Sequence, residues 1–336
     1  MRNTILLLLT LWGLYACQRP SDSYNRIFPD GEKRHGELFL SGLDNTFTFY
    51  ELQVTDSFVV FLDFFNDTVL QVYNLKESPG QTDYLLKGNG PEDLNMPFVN
   101  KAVLSNKKTN HISLYDLRKQ AIGNYQIDDS GKGEVTFEKI PQQLPFTKDI
   151  NITHEYIFGI DIDQRENGLF YRYDIEKDEL FAVAYAPKHD RSYKEDMLPF
   201  LYNSNLIVHE EKKRIVQGML KLNLIQLYDF DLTLKKQLVV GEQIHWPAVD
   251  PTYVDLPNAT NYFTSICGTD DYVYLLYKGS ISSSYILILD WEGNHKKTIE
   301  TDVELKRITV DKDNRFILGV YENIEGGTDV RKYSLL

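Results

Sequence analysis

Two carboxylate pairs, Asp161-Ile162-Asp163 and Asp311-Lys312-Asp313, have a spacing that could do chemistry. Residues two apart on a strand share a face. Either pair could therefore offer oxygens to Ca²⁺ or act as an acid and base on a glycosidic bond. The competing reading is turn chemistry, because Asp favours strand ends and Asx-turns. On that ground Asp311-Lys312-Asp313-Asn314 reads as a hairpin loop, and Asp270-Asp271 has the same status. The seven histidines, at 35, 111, 154, 189, 209, 245 and 295, form no His-x-x-x-His pair, which excludes a zincin helix. The two cysteines, Cys17 and Cys267, are too few for a cysteine-rich zinc site. No Gly-x-Ser-x-Gly elbow and no repeated Ser-x-Asp-x-Gly box occurs. No catalytic residue, metal ligand or cofactor is assigned.

Tyr193, Tyr202, Trp246, Tyr253 and Tyr262 fall in the longer Pro-containing stretches 187–204 and 243–262. Loops on a rigid scaffold often carry function, so these rings could stack on a sugar or grip a peptide. Packing onto the scaffold is the stronger alternative, since aromatics bury readily. Gly88-Asn89-Gly90-Pro91-Glu92-Asp93-Leu94 reads as a connection between repeats, with the glycines free to take positive φ and Asp93 or Glu92 capping a short turn. It lacks the spacing and the Lys-Ser/Thr of a phosphate loop.

The N-terminus reads as an address. Arg2 precedes a ten-residue apolar run, Ile5 to Leu14, broken only by Thr10 and Gly13. A membrane span needs roughly 20 such residues, so the run is a signal-peptide core. Leu14-Tyr15-Ala16-Cys17 then resembles the bacterial lipobox, whose cysteine is acylated and becomes the mature N-terminus. That resemblance implies lipid attachment at Cys17 and the bilayer as a partner, with several acyl chains giving a firm anchor. Gln18 is not the aspartate of inner-membrane retention, which favours the outer membrane, its face unresolved. Residues 1–16 are then signal peptide, 17–35 lipidated cysteine and tether, and 36–336 one domain. Cys267, left alone, reads as a buried structural residue, with no basic neighbour to activate it.

The elements that would position any site are strands. The 336 residues carry 22 Tyr and 18 Phe, and 49 acids against 36 bases, a formal charge of −13. Such a balance disfavours nucleic acid as the main partner. Helical periodicity is confined to Arg191–Leu198 and the turn at Pro91–Leu94. Runs such as Phe58-Val-Val-Phe-Leu-Asp-Phe64, Tyr272-Val-Tyr-Leu-Leu-Tyr277 and Ile286-Leu-Ile-Leu289 are apolar on both alternating faces. Such strands are covered on two sides. They recur in pairs, the second member closing on a marker at Tyr73, Tyr125, Tyr173, Tyr228, Leu289 or Tyr333. Six units of about 50 residues predict an all-β, six-bladed propeller of four-stranded antiparallel blades. The last unit stops at its third strand, so Glu37-Leu38-Phe39-Leu40 is expected to supply the fourth and close the ring.

The glycine-proline turn at 88–94, the stretch Gly268 to Tyr277, and Leu289-Asp290-Trp291-Glu292-Gly293-Asn294 with Arg307-Ile308-Thr309-Val310-Asp311 together resemble the TolB-like six-bladed propeller lipoproteins of the Bacteroidetes. That resemblance implies fold and envelope location, and no catalytic residues. The expected role is an envelope-anchored propeller that binds a ligand, an envelope protein or a glycan. The alternatives are a hydrolase or lactonase-like propeller with a central metal, and an accessory subunit of an outer-membrane uptake complex. A ring of buried carboxylates, Asn or His would favour the enzyme, and an apolar or Tyr-lined funnel the binder.

Overall fold

Strands buried on both faces need a neighbouring sheet on each side, and sheets arranged around an axis give every member two. The computed structural model describes residues 24–43, 51–63, 65–76, 80–104, 109–140, 144–161, 168–184, 193, 197–247, 259–278 and 283–335. Three strands come first: β1 (Asn25–Ile27), β2 (Glu32–Arg34) and β3 (Glu37–Leu43). Blade 1 is β4 (Glu51–Val54), β5 (Phe58–Leu62), β6 (Thr68–Asn74) and β7 (Gln81–Leu86). Blade 2 is β8 (Pro97–Val99), β9 (His111–Asp116), β10 (Ala121–Ile127) and β11 (Gly133–Lys139). Blade 3 is β12 (Thr147–Ile152), β13 (Tyr156–Asp161), β14 (Tyr171–Asp174) and β15 (Glu179–Ala182). The four-residue helix α1 (Leu198–Leu201) leads into blade 4: β16 (Ser204–His209), β17 (Arg214–Met219), β18 (Leu224–Asp229) and β19 (Leu234–Val240). Blade 5 is β20 (Phe263–Gly268), β21 (Tyr272–Tyr277), β22 (Tyr285–Asp290) and β23 (His295–Thr301). Blade 6 is β24 (Leu305–Val310), β25 (Phe316–Glu322) and β26 (Thr328–Ser334), with β3 as its fourth strand.

Every marker lies at the end of a third strand, and every run paired with it is a second strand. Closure is visible in the core. Six apolar clusters fill the six gaps between consecutive blades, and the cluster joining Leu318, Val320 and Val330 to Val59 and Phe61 bridges blade 6 to blade 1. The innermost strands β4, β8, β12, β16, β20 and β24 adjoin in that order and return to β4. Burying one such large side chain contributes about 1.5–3 kcal/mol, so an open seam would forfeit several.

The N-terminal segment does more than predicted. Glu37, Leu38, Leu40 and Leu43 pair antiparallel with β26, as expected of the closing strand. Upstream, β1 pairs parallel with the outer edge of blade 4 and β2 with that of blade 5. Residues 25–27 and 32–34, read from sequence as tether, thus belong to sheets and strap two further blades. Ile27 is the reason β1 stays: it is buried between blades 4 and 5.

The turn at 88–94 is a crossover from blade 1 to blade 2, but its glycines act differently from expectation. Neither Gly88 nor Gly90 takes positive φ, and Pro91–Leu94 forms no helix. Instead Asp93 folds back into the loop, where its Oδ2 accepts the Gly90 N–H at 2.8 Å. A Cβ at Gly88 would stand 2.1 Å from that oxygen. The glycines make room for a carboxylate.

Candidate functional site

All six inner strands run from the same face, because each blade has four strands and returns the chain to where it entered. They enclose a cavity of about 840 Å³. The segment after β8 leaves its blade: Lys101 N donates to Ile150 O of blade 3, and Val103 bridges to blade 4 through Val208 O and the Glu210 N–H. That crossing carries Lys101 into the lumen beside Glu51 of blade 1, Lys148 and Asp149 of blade 3, and Arg307 of blade 6.

Lys148 and Asp149 both line the cavity, and they stand at a bulge. The β12–β13 register shifts between Lys148 and Asn151, and Asp149 sits at φ +50°. A non-glycine residue there is held against a cost of about 1–3 kcal/mol. Lys306 and Arg307 line the same cavity, and β24 shifts register between Leu305 and Arg307. A third shift, Phe263 to Ser265, lies in β20. Bulges re-aim side chains, and polar residues of the funnel wall stand at all three.

The cluster is only partly neutralised. Lys101 donates to Asp149 Oδ1 and lies 3.4 Å from Glu51 Oε1. Burial works against its charge, but Asp149 and then Glu51 outweigh it and hold the ammonium above its usual pKa. Lys148 has only neutral acceptors, Asn203 Oδ1 and the Ser204 carbonyl at 3.1 Å. Burial pushes it down to about 8, with Lys101 and Arg307 adding to the effect and Asp149 opposing it. Arg307 donates through Nη1 to Thr264 O at 2.7 Å and Lys306 O at 3.0 Å. Burial lowers its pKa, partly offset by Asp149 and Glu51. Several of these groups also staple blades. Glu51 Oε2 accepts the Val99 N–H of blade 2 at 2.7 Å, and Asn205 donates to Phe263 O of blade 5 at 2.7 Å.

Residues 43–313 match the TolB-like 6-blade propeller-like family. The chain belongs to that family. The match takes in the whole funnel wall and leaves β1, β2, most of β3, β25 and β26 outside it. Among solved structures, a member of the DUF4221 family from Bacteroides vulgatus is similar at 12% identity and a TM-score of 0.46, over 91% of this chain and 94% of that one. No curated protein matches the sequence.

Against this TolB-like frame the residues singled out from sequence disperse. Asp311 is held by Arg315, which donates from Nε at 2.8 Å and Nη2 at 2.7 Å, and Asn314 turns the hairpin at φ +57°. Turn chemistry accounts for that pair. Asp161 is buried at the end of β13, while Asp163 lies outside the described residues, as do Cys17, His189 and Tyr253. Among the described residues no group of His, Cys, Asp and Glu could hold a metal. Tyr193 is buried and donates to Pro247 O at 2.9 Å, with its ring 6.3 Å from Trp246. Tyr202 is buried in the blade 3–4 core, and Tyr262 stacks on Tyr277 at 5.9 Å. These rings pack. Cys267 is half-buried on β20 at the funnel wall, its thiol pushed up in pKa by burial, which leaves it inert.

The funnel residues themselves were not picked out from sequence. Their signal lay at the first strand of the units, where polar residues cluster, as in Thr147-Lys148-Asp149, Asn203-Ser204-Asn205, Thr264-Ser265 and Lys306-Arg307. The repeat was recognised from second and third strands, whose polar residues mark turns. Those of the first strand mark the lumen.

Proposed function

We propose that the protein is a lipid-anchored propeller of the cell envelope that binds a small ligand in its central funnel. The observation that carries this reading is the cavity itself: about 840 Å³, walled by all six inner strands, with nine charged side chains in its lining. Ligand sites are concave, of roughly 300–1,000 Å³, with a few convergent polar groups. The carboxylate ring that would favour an enzyme is replaced by a mixed, cation-rich cluster, and the apolar funnel expected of a plain binder is replaced likewise.

Anchoring rests on the N-terminal address. Six residues separate Cys17 from Tyr24, and at about 3.5 Å per residue they would hold the outer edge of blade 4 within ~25 Å of the bilayer. Cys17→Ser should release the chain from the membrane fraction. A variant still sedimenting with membranes would remove the anchor from this reading. For the funnel, native mass spectrometry of the protein taken from envelope membranes is the test. A small molecule should accompany the native chain and be absent from Asn205→Trp, whose indole would occupy the lumen. A stoichiometric protein partner with no small molecule in either sample would replace ligand binding by scaffolding.

A further inference from the structure

We propose that the funnel takes a hydroxylated organic monocarboxylate, its carboxylate seated between Lys148 Nζ and the Arg307 guanidinium. This deepens the reading of the funnel as a ligand site and rests on it.

Charge comes first. In a chain of net charge −13 the funnel lining holds six cations against three carboxylates; Lys278, Lys306 and Lys312 pair with Glu304, Glu322 and Asp56, and Asp270 is exposed, which leaves Lys101, Lys148 and Arg307 against Glu51 and Asp149. Lys101 uses both carboxylates. Lys148 and Arg307 have no carboxylate within 4.0 Å among the described residues. A buried charge without a partner is costly, and both of these stand beside a register shift, Lys148 in β12 and Arg307 in β24.

The excess is one unit, which one carboxylate neutralises and a phosphate dianion overshoots. A guanidinium is also matched to a carboxylate in shape, because two parallel N–H groups meet two oxygens. Arg307 bonds its neighbours through Nη1 alone. A self-contained plug would instead be charge-balanced and would leave no polar atom over. Gln53 Oε1 and Thr264 Oγ1, both on residues of the funnel wall, are buried with no hydrogen-bond partner. Orphaned oxygens of this kind signal a missing partner. The cavity far exceeds an inorganic ion, so the carboxylate would belong to a larger, hydroxyl-bearing body.

The test is calorimetric titration and thermal melting of the mature chain with D-glucuronate, D-galacturonate and D-gluconate. D-glucose serves as the uncharged control and glucose 6-phosphate as the phosphate control. At least one hydroxy acid should bind and raise the melting temperature, with both controls at least about tenfold weaker. Arg307→Gln and Lys148→Met should each weaken it about 10- to 100-fold, the worth of one charge-assisted hydrogen bond. Melting of the unliganded variants checks that they fold, and Lys148→Met stands alone if Arg307→Gln does not. Absence of binding by all three acids at millimolar concentration overturns the proposal. Glucose binding as tightly as glucuronate, and sensitive to Asn205→Trp, would overturn the carboxylate while leaving the funnel a ligand site. Tighter binding of glucose 6-phosphate would overturn the monoanion.

Discussion

Gly88 and Asp93 make a residue-scale prediction that does not depend on the ligand. Gly88→Ala forces its new methyl against Asp93 Oδ2 at 2.1 Å and against Asp93 Cβ at 3.1 Å. Overpacking of this kind costs about 1–3 kcal/mol. Asp93→Ala removes the carboxylate that Gly90 N–H bonds and should cost about 0.5–1.5 kcal/mol. The double variant should be no worse than Asp93→Ala alone in urea denaturation, and additive costs would show that the contact is not what holds the turn. Lys148 gives a second test, with a sign. Its pKa is about 8 in the folded chain against an ordinary 10.5. Between those values the unfolded chain keeps a proton that the native state has released, so native stability gains with rising pH. The groups acting on Lys148 are Asp149 on its own strand and Lys101 and Arg307 from other blades; Glu51, Lys306 and Cys267 share the funnel lining, and the raised thiol pKa of Cys267 acts in the opposite sense. Lys148→Met shares all of them. The stability difference, wild type minus variant, should therefore rise between about pH 8 and 10 in denaturant melts. A flat difference would mean that Lys148 is not buried as described. In the same window, affinity for a carboxylate ligand should fall as Lys148 loses its charge.

At the scale of elements, the N-terminal segment offers two contacts of different kinds. The fourth strand of blade 6 is β3, and without it β26 would expose an unpaired edge open to association. The short β1 and β2 straps add to blades that already have four strands. Deleting residues up to 35 should therefore lower the denaturation midpoint moderately, whereas deletion through 43 should abolish the monomeric fold, as read by size-exclusion chromatography. Ile27→Ala should cost about 2–4 kcal/mol, unless the strap detaches, in which case the cost is capped at that of deleting residues 24–27. Equal midpoints for the two long deletions would contradict the closing role of β3. These elements also show what a sequence can carry. Second and third strands, such as Phe58–Leu62 and Thr68–Asn74, announce themselves because both faces are apolar and a turn residue closes them. The strand Glu37–Leu43 was legible from the gap it fills. β1 and β2 were not, because three polar-rich residues each have no period to read; their pairing is decided by the edge that receives them. The lumen was hidden for a related reason. Lys148, Asp149 and Arg307 stand at register shifts, and alternation cannot reveal a shift that depends on the partner strand.

Closing the ring and building the site are the same event at the scale of the whole molecule. Glu51 stands on β4 of blade 1 and Arg307 on β24 of blade 6, so the two flank the seam that β3 helps to close. Glu51 staples β4 to blade 2 through the Val99 N–H, and Arg307 staples β24 to blade 5 through Thr264 O. Each blade thus reaches the funnel through its neighbours. Loosening blade 6 at its outer edge should move the inner edge as well, because one apolar cluster between blades 6 and 1 contains both Leu43 of β3 and Val54 of β4. Leu43→Ala tests this far from the lumen. It should destabilise by about 2–4 kcal/mol. It should also weaken hydroxy-acid binding, while Ile27→Ala, at the blade 4–5 gap, should destabilise comparably and leave affinity within about twofold. Calorimetric titration of both variants with the tightest of the three acids distinguishes them. If both lose affinity in proportion to stability, the site senses global stability only. If neither does, the funnel is insulated from the seam, and closure and recognition are separate properties of the fold.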